Sequence, residues 1–209
     1  MHGGLLLAKR AKMRWAVWAL LLVPDLAQAQ ETTVYEFGPS SQGRFALEVF
    51  KSGLWDGKKH LFLFASYRGT LRYDRAVPEN SRVELTVEAA SAACQDTWVS
   101  PSDLQKVQAK ALEMMGAAKH PQLLFTSQRI VPLGGDRFHV QGLLNIKGIP
   151  KPVSVDVRLS GQDSEVLTAK GSAQVRLQDY GLKPPGAALG LIGTKNEMNL
   201  EFVLLVRRP

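Results

Sequence analysis

The sequence predicts an all-β antiparallel domain, a barrel or a sandwich of about eight to nine strands, with one amphipathic helix inserted. Three observations lead there. Apolar and polar residues alternate with a period of two along most of residues 34–206, the pattern of strands with one buried and one wet face. Turns rich in glycine and proline separate the alternating runs. Beyond the first thirty residues only one stretch, 103–116, switches to the helical period.

In chain order, Val34–Phe37 reads as a short opening strand closed by the Gly38-Pro39 turn. Phe45, Leu47 and Val49 give the next strand an apolar side at odd positions, and a turn cluster from Lys51 to His60 follows. Leu61–Leu71 reads as one long strand, apolar on both faces in its first half, with Gly69 marking a bulge or a sharp coil. After a polar turn, Val83, Leu85 and Val87 alternate with Arg82, Glu84, Thr86 and Glu88. Residues 89–100 form a loop carrying Cys94 and Trp98. The helix is capped by Ser102 or Asp103, places Leu104, Val107, Ala111, Leu112 and Met115 on one face, and stops at Gly116.

Residues 120–160 organise the rest. Val140, Leu144 and Ile146 define one strand, and Val153, Val155, Val157 and Leu159 another. The Gly148–Pro152 turn between them makes an antiparallel hairpin. Ala169–Leu177 and Met198–Val206 supply two more strands. The irregular connection between them, 179–193, is too long for a hairpin turn, a length that often accompanies function.

Closing such a sheet removes its exposed edges, and about eight strands enclose space for one small ligand. The inward set mixes Gly142, Gly171 and Ala173 with the large Phe45, Phe125 and Phe202, and the small residues predict room for a guest. The predicted cavity lining is aromatic at Phe45, Phe62, Phe64, Phe125 and Phe202. Leu47, Leu85, Met115, Leu144, Ala173 and Val175 complete it.

Residues 1–29 read as a cleavable secretory signal. Lys9–Arg14 are basic, Trp15–Val23 are apolar, Pro24 breaks the run, and Ala27-Gln28-Ala29 supplies the small residues of a cleavage site. Met13-Arg14 is by itself an adequate basic start, so Met1 or Met13 serves equally. The apolar run falls short of the ~20 residues of a bilayer span. The expected mature domain is 30–209, in the periplasm or secreted. The net charge of +7 includes the leader, and the mature part carries 22 basic against 18 acidic residues, a mild excess without a basic run. Nucleic-acid binding is therefore not expected. A single cysteine, Cys94, excludes an internal disulfide framework and argues against a cysteine-based zinc site.

No HExxH, CxxC, P-loop, GxGxxG or GxSxG pattern is present, and no catalytic residue, metal or cofactor is assigned. His60, His120 and His139 are isolated in sequence, so a metal site shared among them is the lesser reading. Met114-Met115 reads either as a pliable lid over a ligand or as core packing. Trp55 reads as a rim aromatic or a loop anchor.

Several motifs together resemble the YceI-like family of small secreted lipid-binding proteins. They are Gly69-Thr70-Leu71-x-Tyr73-Asp74, Ser81-x-Val83-Glu84-Leu85 and His120-Pro121-x-x-x-Phe125-x-Ser127. Gly142-x-Leu144-x-Ile146-x-Gly148-Ile149-x-Lys151-Pro152-Val153 and Gln178-Asp179-Tyr180-Gly181-Leu182 complete the set. The chain departs from the family where Gly38-Pro39-Ser40-Ser41 stands in place of a histidine, and around Ala92–Trp98. The resemblance implies an extended eight-stranded lipocalin-like barrel whose apolar interior accepts an isoprenoid or other long-chain lipid. It also allows a homodimer and transient contact with a membrane. The alternatives are a periplasmic accessory protein whose barrel is filled by its own side chains, and an enzyme acting on a bound quinone or through a histidine-bound metal. The preferred reading is a binding protein and no enzyme.

Overall fold

The structure is a computed structural model of the 209-residue chain and describes residues 32–40, 42–161, 165–186 and 191–209. The first strands are β1 (Thr32–Phe37), β2 (Arg44–Gly53), β3 (Lys59–Phe64), β4 (Tyr67–Asp74), β5 (Arg82–Glu88) and β6 (Ala92–Cys94). Helix α1 (Pro101–Met115) follows. Then come β7 (Gln122–Pro132), β8 (Arg137–Ile146), β9 (Ile149–Ser160), β10 (Val166–Arg176) and β11 (Ile192–Arg207).

These segments make eight staves of a closed antiparallel barrel. β1 and β2 lie end to end along one edge of β11, with Phe37 opposite Val206 and Phe45 opposite Phe202. β3 and β4 form the next stave and β5 and β6 the third. Every stave pairs with its sequence neighbours, and β11 closes the ring. This nearest-neighbour order follows from short turns between alternating runs, and closure through β11 pairs the sheet's long edges.

Four local expectations are corrected. Leu61–Leu71 is two strands broken at Ala65-Ser66. There Ala65 N–H donates to Ser91 O and Glu88 N–H to Ser66 O, so the bend is matched by the 3-10 turn Ala89–Ser91 next door. Gly69 is no bulge, because its register with Phe37 and Leu85 is continuous. The register shifts lie elsewhere, in β7 between Ser127 and Arg129 and in β11 between Thr194 and Met198.

The helix cap is Ser100 rather than Ser102 or Asp103. Its hydroxyl accepts from Asp103 N–H at 3.1 Å, and Pro101 takes the first turn, where a missing N–H costs nothing. Gly116 ends the helix at φ 65°, as expected.

The β8–β9 turn is only Lys147-Gly148, both at positive φ, the geometry of a two-residue hairpin. Pro150 and Pro152 already pair with Asn145 and Leu143. β10 joins β9 only from Asp156 onward, so no ladder partner misses their N–H groups.

Two side chains tie the ends. Gln108 of α1 caps the free edge of β6, accepting from Cys94 N–H at 2.7 Å and donating to Ala92 O. At the opposite end Asp74 accepts from Val77 N–H at 2.8 Å, and its own N–H donates to Ser81 Oγ at 3.0 Å, which shapes the turn around Pro78–Asn80.

Candidate functional site

The inward faces of the staves form one apolar interior holding two cavities. The cavity at the helix end measures about 330 Å³ and the one toward the far end about 130 Å³. Phe45, Leu85, Phe125, Leu144 and Leu200 line both, forming a waist between them. Among the described residues, Ser81 and the Tyr73 phenol are the only polar side-chain groups lining the far cavity.

Every side chain assigned to the lining stands on these walls. Leu47, Phe62, Phe64, Met115 and Val175 line the helix-end cavity, Ala173 and Phe202 the far one, and Phe45, Leu85, Phe125 and Leu144 the waist. The reason given for the space is corrected, however. A Cβ on Gly171 would stand 2.4 Å from the Phe202 ring, and one on Gly142 2.6 Å from the Phe125 ring. On Gly69 it would stand 2.1 Å from the Phe37 ring. These glycines seat aromatic rings from the neighbouring strand, so they fill the bore rather than empty it. The larger cavity lies where staves are broken and α1 is inserted. Met115 is buried, Met114 half-buried, and both face that cavity.

The polar groups of the site gather at the helix end. Lys51, His60, Thr194, Lys106 and Lys110 line the larger cavity, with Trp55 beside them. Sequence reasoning missed Lys51 and Thr194. Lys51 continues the odd-numbered inward register of Phe45, Leu47 and Val49, and that parity is the signal that reveals it. Its Nζ donates to Thr194 Oγ1 at 3.4 Å and lies 5.4 Å from the centre of the Trp55 ring.

His60 is fixed from two sides. Its Nδ1 lies 2.5 Å from Asp96 Oδ2, and Trp98 stacks on the ring with centroids 5.3 Å apart. Asp96 Oδ1 accepts from Leu61 N–H at 2.9 Å, and Trp98 Nε1 donates to Lys59 O at 3.0 Å. Trp55 meets Trp98 edge to face, so loop and barrel rim form one aromatic wall.

Among the described residues, His60, Cys94 and Asp96 form the one group whose metal-ligating atoms all lie within 4.8 Å of one another. Their types suit zinc. Hydrogen bonds already engage His60 Nδ1 and both Asp96 oxygens, which makes the group a clamp joining β3 to the loop after β6. Burial pushes the Cys94 thiol above its ordinary pKa, the opposite of an activated thiolate. His120 and His139 do not join it. His139 pairs with Asp156 at 2.8 Å, and His120 packs beside Gly116 and Gly148.

The connection after β10 supplies one wall of the larger cavity through Leu177, Leu182 and Pro185. Tyr180 is 1% exposed, and its burial together with neighbouring Asp179 pushes the phenol up to about 12. Residues 187–190 of this connection, and the leader 1–29, lie outside the described residues.

An up-and-down barrel with an apolar, partly empty bore and a helix beside one mouth defines the class: a hollow antiparallel barrel. Comparison with known proteins narrows it. The YceI-like domain matches residues 45–204. A UPF0312 protein of Azotobacter vinelandii is 25% identical over 170 residues, covering 79% of this chain and 85% of the relative. Protein YceI of Escherichia coli O157:H7 is 27% identical over 125 residues, covering 57% and 62%.

Among solved structures, BcnA of Burkholderia cenocepacia has a TM-score of 0.60 at 20% identity, over 78% of this chain and 95% of that one. A polyisoprenoid binding domain from Saccharophagus degradans has a TM-score of 0.59 at 12% identity, over 83% and 98%. At these identities the two structures speak for the fold. The chain belongs to the YceI-like family.

Proposed function

We propose that the protein is an exported carrier that holds an isoprenoid-type or other long-chain lipid inside its barrel. It works in the periplasm or outside the cell as residues 30–209, after cleavage near Ala29. One observation carries the reading: two apolar cavities share a waist and together run through the bore. A flexible hydrocarbon chain is the guest that such a channel suits, at about 0.8 kcal/mol for each CH₂ removed from water. The family and the polyisoprenoid-binding neighbour support a lipid guest.

The mouth also suits exchange with a bilayer. Leu54 and Leu191 are 74% and 60% exposed, and the Leu54 N–H donates to Leu191 O, so the two backbones meet beside Trp55. Greasy loop tips flanked by lysines favour transient contact with a membrane surface. The His60–Asp96 clamp has a structural role, and the protein acts by binding rather than by catalysis.

The test is native mass spectrometry of the mature protein purified from its own host, with any adduct extracted and identified. A stoichiometric prenyl-type lipid is expected. A clean apo mass that persists after incubation with isoprenoid quinones would overturn the carrier reading in favour of an accessory protein with a side-chain-filled barrel.

A further inference from the structure

We propose that His60, Cys94 and Asp96 form a site for a thiophilic divalent cation of the zinc class, which takes the place of the protons in the clamp and braces the join between β3 and the loop after β6.

The sheet assembles the ligand set. Phe62 stands opposite Cys94 in the antiparallel β3–β6 ladder, and continuing that register sets His60 opposite Asp96. With a side-chain period of two, His60 and Phe62 share one face of β3, and Cys94 and Asp96 share that face on the segment opposite. An imidazole nitrogen, a thiol sulfur and a carboxylate oxygen then lie within 4.8 Å of one another. One ion with bonds of about 2.0–2.3 Å draws such donors together through small side-chain rotations. His139 and Asp156 make a similar contact at 2.8 Å, but on the exposed surface, and among the described residues no third ligand joins them.

Neighbouring groups already hold each donor. Leu61 N–H fixes the Asp96 carboxylate, Trp98 stacks on the His60 ring, and Gln108 of α1 accepts from Cys94 N–H. Outer support of this kind orients metal ligands. His60 and Cys94 are each 8% exposed and the Asp96 side chain 1%, so the ion would be bound away from bulk water.

Charge favours the exchange. One thiolate and one carboxylate cancel the two positive charges of the ion, and a neutral imidazole completes a complex without net charge, the form that burial tolerates best. Without the ion, burial keeps the thiol protonated. On binding, the Cys94 S–H bond breaks and its proton leaves to solvent. The proton on His60 Nδ1 is carried on Nε2 instead, which frees the Nδ1 lone pair for the metal. Three protein donors leave a coordination position for water.

The experiment titrates Co²⁺ and then Zn²⁺ into the untagged, chelator-treated mature protein, into Cys94→Ala and into His139→Gln, read by near-ultraviolet absorption and thermal unfolding. One equivalent of Co²⁺ should raise a sulfur-to-cobalt charge-transfer band in the native protein and in His139→Gln, and one equivalent of Zn²⁺ should abolish it. Cys94 is the single cysteine of the chain, so the band reports this thiol alone and decides the matter even where Cys94→Ala fails to fold. The folded Cys94→Ala protein should show no band and bind Zn²⁺ about a hundredfold more weakly. Zn²⁺ at about a hundred times its Kd should raise the melting temperature of the native protein by about 5–10 °C. No band in the native protein, or equal Zn²⁺ affinity in Cys94→Ala, would overturn the site and leave a hydrogen-bonded clamp. Loss of Zn²⁺ binding in His139→Gln would overturn it in favour of an adventitious surface pair.

Discussion

The two ends of the barrel share the same staves and the same kind of side chain, yet one is tight and the other open. Toward the far end, rings close the bore. Phe138 stands edge-on to Tyr73 with centroids 6.4 Å apart, while Phe37 and Phe202 lie over Gly69 and Gly171. Toward the helix end two staves are interrupted, at 65–66 and 89–91, and α1 intervenes before the next strand. The cavity there is about 330 Å³ against about 130 Å³. The difference teaches that the hollow comes from broken strands and an inserted helix. Small residues on the wall do not make it.

The largest effect that tests this contrast is Phe138→Ala. The ring is 6% exposed in the tight end, so its removal should destabilise the fold by about 3–5 kcal/mol in urea denaturation. A loss below ~1 kcal/mol would show that the far end is not close-packed.

Tyr180, beside the open end, sharpens the comparison through pH. Its folded-state pKa is raised from 10.0 to about 12, so the native protein keeps the proton that the unfolded chain releases above pH 10. The stability it contributes is complete below pH 10 and is lost as pH rises toward 12. The loss should amount to about 2–3 kcal/mol. Denaturation midpoints across that window, with Tyr180→Phe as reference, check it. An identical pH dependence in the variant would show that the phenol is not buried from water.

Gly171→Ala comes next. Its Cβ would meet the Phe202 ring at 2.4 Å and Asp156 O at 2.7 Å, so a single methyl should cost about 1–3 kcal/mol by overpacking. A neutral or stabilising result would mean that the ring is free to move and the glycine is a true vacancy.

Much of this was legible in the sequence, because period-two alternation reports which face of a strand is buried. Phe45, Leu47, Ala173 and Val175 were placed inward by parity, and the structure puts them there. What alternation does not report is what interrupts it. Leu61–Leu71 reads as one strand because Ala65-Ser66 carries neither glycine nor proline, and the break is set by hydrogen bonds to Ser66 and Ser91 on neighbouring segments. Gly142 and Gly171 read as room because the ring that covers each belongs to another strand. Lys51 was taken for a turn residue because a charge is expected outside, although its parity matched the inward set. The clamp of His60 with Asp96 joins positions far apart in sequence, and no local spacing encodes it.

The smallest expected effect on stability is Met114→Ala, and it separates the two ends most directly. Met114 is half-buried on α1 and faces a space already open, so shortening it enlarges a cavity without stripping contacts from a close-packed wall. The expected loss is under ~1 kcal/mol, well below that of Phe138→Ala, because a cavity penalty scales with the new void that neighbours cannot relieve. The thioether is also a flexible filler with little packing specificity to lose. Lipid affinity should respond more than stability, falling several-fold as the chain of a bound amphiphile loses a wall contact. Parallel urea melts and lipid titrations of the two variants give both readings. If Met114→Ala destabilises the protein as much as Phe138→Ala does, α1 is packed as core, and the helix end is no more a binding cavity than the far one.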